Sequence, residues 1–107
     1  MSVLVIEDQA LLREILVKNL TEEGYQVYAF ESAEAYQEEE MDLNGKIQIA
    51  ILDITLPGMS GLALSERLRN ARSDLIIIIL TMHGELDSKF KSLEAGANLY
   101  LTKPVDP

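Results

Sequence analysis

The chain is predicted to fold as an α/β protein, a doubly wound parallel sheet with helices on both faces. Short apolar runs alternate with segments of helical periodicity along the whole length, which is the signature of β-α-β units. One of those runs, LIIIIL at residues 75–80, shows no polar alternation, as expected of a strand buried on both faces. Acidic residues end the first and third runs, where open α/β sheets bind ligands at the carboxyl edge.

Strands are expected at residues 2–6, 25–30, 47–52, 75–80 and 98–101. After the first, Leu12, Ile15, Leu16 and Leu20 recur at helical spacing, with Arg13, Glu14, Lys18 and Glu22 on the solvent side. Gly24, just past the last turn, is expected to end that helix. Residues 32–40 carry Glu34, Glu38, Glu39 and Glu40 and are expected to form a solvated surface helix. Leu64, Leu68 and Ala71 make a further apolar stripe, and Leu86, Phe90, Leu93 and Ala97 another, closed by Gly96. The chain stops at Pro107, a few residues past the fifth strand, so the helix that would follow it is expected to be missing or truncated.

Composition bounds the function. At 107 residues the chain makes one domain, and 48% hydrophobic with 25% charged residues describes an ordinary globule. A net charge of −9 repels phosphate backbones, so direct contact with nucleic acid is not expected. There is no cysteine for a disulfide, a thiolate metal site or a thiol nucleophile. No apolar run reaches membrane-spanning length and the first residues do not form a signal peptide, so a cytoplasmic location is expected.

The chemistry is concentrated at strand ends. Glu7 and Asp8 follow VLVI at residues 3–6, Asp53 follows IQIAIL at 47–52, Thr81 follows the fourth run, and Lys103 comes shortly after the fifth. In a parallel sheet these positions share one edge. Two like charges at about 4 Å and an effective dielectric of about 20 repel by roughly 4 kcal/mol, so such acids need protons or a cation. Carboxylates suit magnesium, while an ammonium and a hydroxyl suit phosphoryl oxygens. That is equipment for phosphoryl transfer, in which positioning and charge neutralisation do most of the catalysis. Asp8 could instead be a helix cap, Thr81 a turn hydroxyl, Lys103 a solvated charge and Tyr100 a packing aromatic.

In these motifs the chain resembles the receiver domains of bacterial two-component response regulators. The resemblance rests on Glu7 and Asp8, the stretch DITLPGMSG at 53–61, Leu80 and Thr81, and GANLYLTKP at 96–104. It implies a flavodoxin-like sheet of order 2-1-3-4-5 and a receiver domain over residues 1–107, forming the N-terminal part of a longer regulator whose output is most often transcriptional. It also implies that Asp53 accepts a phosphoryl group from a sensor histidine kinase or histidine phosphotransfer protein. Magnesium would be held by Glu7, Asp8, Asp53 and the main-chain carbonyl of Thr55. Lys103 would pair with Asp53 and then with the phosphoryl group, Thr81 and Tyr100 would switch, and the Lys103–Pro104 bond would be cis. Thr55, Met82 and His83 would tune the lifetime of the phosphorylated state, with bulky Met82 standing where the family usually has a small residue. The bare strip left by a missing last helix would be met by self-association, making a homodimer. A phosphohydrolase would carry an acid where Thr55 stands, and a flavin-binding module would need a phosphate-cradling loop in place of Glu7, Asp8 and Gln9.

Overall fold

The computed structural model describes residues 1–43, 45–54, 59–81 and 93–102, with backbone alone at Thr81 and Thr102. The elements run β1 (Ser2–Ile6), α1 (Ala10–Glu22), β2 (Gln26–Phe30), α2 (Ala33–Gln37), α3 (Glu40–Leu43), β3 (Ile49–Asp53), α4 (Gly61–Ala71), β4 (Ile76–Thr81) and β5 (Leu99–Thr102). All strand pairs are parallel, and the five-stranded sheet has the order β2-β1-β3-β4-β5. This is the expected architecture, with strand bounds displaced by a residue or two. The largest displacement is in β3, which begins at Ile49 and takes in Asp53 as its last residue.

Strand alternation divides the sheet into two faces. Leu4, Ile6, Ala50, Leu52, Ile77 and Ile79 point to one side and join Tyr36, Leu64 and Leu68 in a continuous core. The opposite side is covered unevenly. Val3 and Val5 are buried, whereas Ile76, Leu99 and Leu101 are 43%, 52% and 40% exposed. The run at 75–80 is therefore buried on both faces only toward its end, where Leu80 is covered, while Ile78 is half-buried and Ile76 at its start is exposed.

The helices depart from their expected faces in instructive ways. Helix α1 closes as foreseen: Gly24 has φ +94, its N–H donates to the Thr21 carbonyl at 3.0 Å, and the Tyr25 N–H donates to that of Leu20 at 3.1 Å, a Schellman arrangement. Yet no residue of α1 is fully buried, and Ile15 is exposed. The acidic stretch at 32–40 keeps Glu34, Glu38 and Glu39 in solvent as expected, but it is not a single helix. It breaks into α2 and α3, and α2 drives Ala33 and Tyr36 into the core, where the Tyr36 ring meets Phe30 edge to face at 5.8 Å. Ser32 caps α2 by accepting the Ala35 N–H at 3.1 Å. In α4 the buried stripe is Gly61, Leu64, Ser65 and Leu68; Ala71 is exposed. Of the last expected stripe, Leu86 and Phe90 lie outside the described residues, Leu93 is exposed and Ala97 is buried.

The C-terminal end of α4 is fastened to the entry of β5. Arg69 donates to the carbonyls of Gly96 at 2.9 Å and Ser73 at 3.0 Å and to Asn98 Oδ1 at 2.7 Å. Asn98 Oδ1 also accepts the Ile77 N–H at 2.8 Å, so one amide oxygen joins α4, β4 and the start of β5. Gly96, at φ +92, lies against the Arg69 stem, where a Cβ would come within 2.6 Å of Cγ.

Candidate phosphoryl and metal site

The register places the strand ends on one edge. Ile6 pairs with Leu52, Asp53 with Leu80, and Thr81 with Thr102. Glu7 and Asp8 continue directly from β1, and Asp53 is the last residue of β3. Carboxylate oxygens of Glu7, Asp8 and Asp53 lie within 4.8 Å of one another. Glu7 is 0% and Asp53 3% exposed, while Asp8 is open to solvent. Carboxylates held this close, two of them buried, favour a cation among them. The donors are all hard oxygens, the type that calcium and magnesium select. The site residues therefore fit a divalent ion.

Backbone contacts fix the acids. The Glu7 N–H donates to the Phe30 carbonyl at 3.1 Å, and Glu7 Oε2 accepts the Gln9 N–H at 3.0 Å. Arg13 of α1 reaches back to the Glu7 carbonyl at 2.8 Å, a role not visible in a residue that reads as one of the helix's solvated charges. The N-cap of α1 is Gln9 rather than Asp8, which leaves the capping explanation of Asp8 without support. On the other strand the Ile54 N–H donates to the Leu80 carbonyl at 2.9 Å, tying the residue after Asp53 to β4. The chain returns at Met59, whose side chain packs on the core and whose N–H donates to Glu34 Oε2 at 2.8 Å. Ser60 then caps α4 through the Ala63 N–H at 3.1 Å, and the Gly61 N–H donates to the Ile54 carbonyl at 3.3 Å. The hydrogen bond from the Met59 N–H holds the Glu34 carboxyl below its ordinary range.

The expected residues thus divide. Glu7, Asp8 and Asp53 meet, and the Thr81 backbone ends its strand on the same edge. Tyr100 lies in β5 and packs, partly buried, on the core side. Thr55, Met82, His83, Lys103 and Pro104 lie outside the described residues. No signal in the chain singled out Glu34, which stands among many acids in its segment.

A parallel α/β domain of this strand order, with acids clustered at the carboxyl edge of its sheet, belongs to the doubly wound class that binds its ligands at that edge. The response regulator receiver domain pattern matches residues 3–107, and the chain belongs to that family, the phosphorylation-activated module of two-component signalling. It is 40% identical over 108 residues to the transcriptional regulatory protein AruR of Pseudomonas aeruginosa, covering 98% of this chain and 44% of that one. It is 42% identical over 105 residues to the transcriptional regulatory protein PhoP of Escherichia coli, covering 97% and 46%. The chain therefore spans less than half the length of these relatives. Among solved structures, the BeF3-activated DrrB receiver domain superposes with a TM-score of 0.90 at 27% identity, covering 99% of this chain and 86% of that one. A Burkholderia pseudomallei response regulator with a phosphorylated aspartic acid and a calcium ion gives 0.83 at 27% identity, covering 98% and 61%.

Proposed function

We propose that the domain is a switch that accepts a phosphoryl group on Asp53 from a phosphohistidine of a sensor kinase or histidine phosphotransfer protein. The observation that carries this reading is the meeting of Glu7, Asp8 and Asp53 at the sheet's carboxyl edge, two of them buried. In the transfer an Asp53 carboxylate oxygen attacks phosphorus, the nitrogen–phosphorus bond breaks, and its electron pair returns to the donor imidazole. Attack of water on phosphorus later releases inorganic phosphate and restores the carboxylate. Both steps are proposed to be the domain's own chemistry, the dephosphorylation slow, rather than turnover of a free substrate.

Magnesium is the proposed ion, held by Glu7, Asp8, Asp53 and the Thr55 carbonyl. Bound there, it supplies positive charge opposite the phosphoryl oxygens. Lys103 and Thr81 are assigned to the other oxygens, and Tyr100 to the switch that follows. Thr55, Met82 and His83 are assigned to water access and so to the lifetime of the acyl phosphate. Output is proposed to be transcriptional, in keeping with the relatives' names, and carried by protein outside this domain. At a net charge of −9 the domain itself is a poor surface for DNA. No described helix is long and apolar enough to cross a membrane, in keeping with a cytoplasmic place of action. The exposed Leu99 and Leu101 support self-association into a homodimer.

Incubation with phosphoramidate and magnesium tests the central reading. One phosphoryl group per chain is expected by intact mass, dependent on the metal and lost in Asp53→Asn. Continuous release of phosphate from diverse phosphoesters, with no adduct, would point to a hydrolase instead.

A further inference from the structure

We infer that Glu34 is a positioning residue for the Asp53 edge, acting through the main chain of Met59. The inference rests on the reading of Asp53 as phosphoacceptor. Glu34 stands 25 positions before Met59, on a different element, yet its Oε2 takes the Met59 N–H at 2.8 Å. One turn further along α2, the Gln37 amide lies 3.5 Å from Met59 Sδ, so two side chains of one short helix grip the same residue. The helix itself has little freedom to follow. Ser32 caps its start, and Tyr36, between Glu34 and Gln37, is locked in the core.

What Glu34 grips is the returning arm of the segment that leaves from Asp53. Two positions on, Gly61 donates to the Ile54 carbonyl and stands so close to the Asp53 carbonyl oxygen that it has no room for a side chain. Asp53 and Ile54 are therefore backed by Gly61, and Gly61 follows Met59 and Ser60 in a short arm clamped at both ends. Glu34 touches neither phosphoryl donor nor the acid cluster. Its contribution is to hold the arm against which the strand end is set, and a carboxylate is a strong acceptor for a main-chain N–H. An exposed acid with such a partner differs from the neighbouring Glu38 and Glu39, which belong to the solvated side of the segment.

The test compares Glu34→Ala with Glu34→Gln, which keeps a carbonyl acceptor at the same reach but removes the charge. Amide spectra report the arm directly, and a magnesium titration of the same samples reports the acid cluster. In Glu34→Ala the amides of Ile54 and Gly61 are expected to shift along with Met59, and magnesium affinity to fall by less than the roughly tenfold seen when a group bonded directly to a metal ligand is lost. Glu34→Gln is expected to restore both. Perturbation that stops at Met59, or a lower melting temperature with magnesium affinity unchanged, would reduce Glu34 to a stabilising contact and overturn the inference. Equal impairment in the Gln variant would also overturn it, since charge rather than the hydrogen bond would then be at work. The phosphoacceptor reading is judged separately, by whether the unaltered domain takes up a phosphoryl group. The Ile54 and Gly61 shifts decide the role of Glu34 in either case.

Discussion

Gly61 stands against the main-chain carbonyl oxygen of Asp53 so closely that a methyl group on residue 61 would overlap it. The first turn of α4 is thereby seated on the end of β3, and the obstacle is backbone, which has no alternative rotamer.

Gly61→Ala is accordingly expected to cost roughly 2 kcal/mol or more, at the upper end of overpacking penalties. Urea denaturation measures the loss, and phosphoryl uptake from phosphoramidate is expected to fall with it. A variant of unchanged stability and uptake would show that the two segments part readily.

Asp8 is exposed, while the acids beside it are buried. Asp8→Asn removes one charge from a crowded site and is expected to raise stability in chelator by about 1 kcal/mol, from relief of like-charge repulsion. Magnesium is expected to stabilise the unaltered domain by about 2.7 kcal/mol at a hundredfold excess over the dissociation constant, and the same variant is expected to lose that gain. Thermal melts with EDTA and with magnesium read both effects.

Tyr36→Ala is expected to destabilise by about 3 to 5 kcal/mol, as for other aromatic truncations in a packed core. Burial, reinforced by the charge of Glu40, raises the Tyr36 phenol above its ordinary 10.0. The folded state then holds this proton more tightly than the unfolded chain does. Its contribution is complete below about pH 10 and declines as pH rises from there toward the folded-state value. Tyr36→Phe removes that alkaline dependence, which denaturant midpoints measured across the range will register.

Leu101→Glu, on the open side of β5, is expected to change monomer stability by less than about 0.5 kcal/mol, as for ordinary surface substitutions. Sedimentation equilibrium is expected to show weaker self-association than in the unaltered domain. Equal self-association in both, or none in either, would count against this face as a dimer contact.

The strand framework was legible because runs such as 47–52 and 75–80 admit few other readings, and because acids directly after an apolar run mark a sheet edge. Glu7, Asp8 and Asp53 were found for that reason. The segment at 32–40 misled because its charge count hid a single anchoring aromatic: Tyr36 needs only one buried position per turn, and the acids around it take the rest. The exposure of Ile76 at the start of β4 was equally hidden, since Ile76 and Ile77 look alike in sequence and differ only in what lies above them. Contacts such as those of Arg13 with Glu7 and Glu34 with Met59 join main chain to side chain across elements, and residue type alone does not announce them.

The Asn98 amide oxygen, shared between Arg69 and the Ile77 N–H, has a mechanical consequence. The outermost strand does not hang from the sheet as a free hem. Its root is pinned to the tail of α4, whose opposite tip rests on Asp53, so a single helix spans from the rim of the sheet to its chemical end.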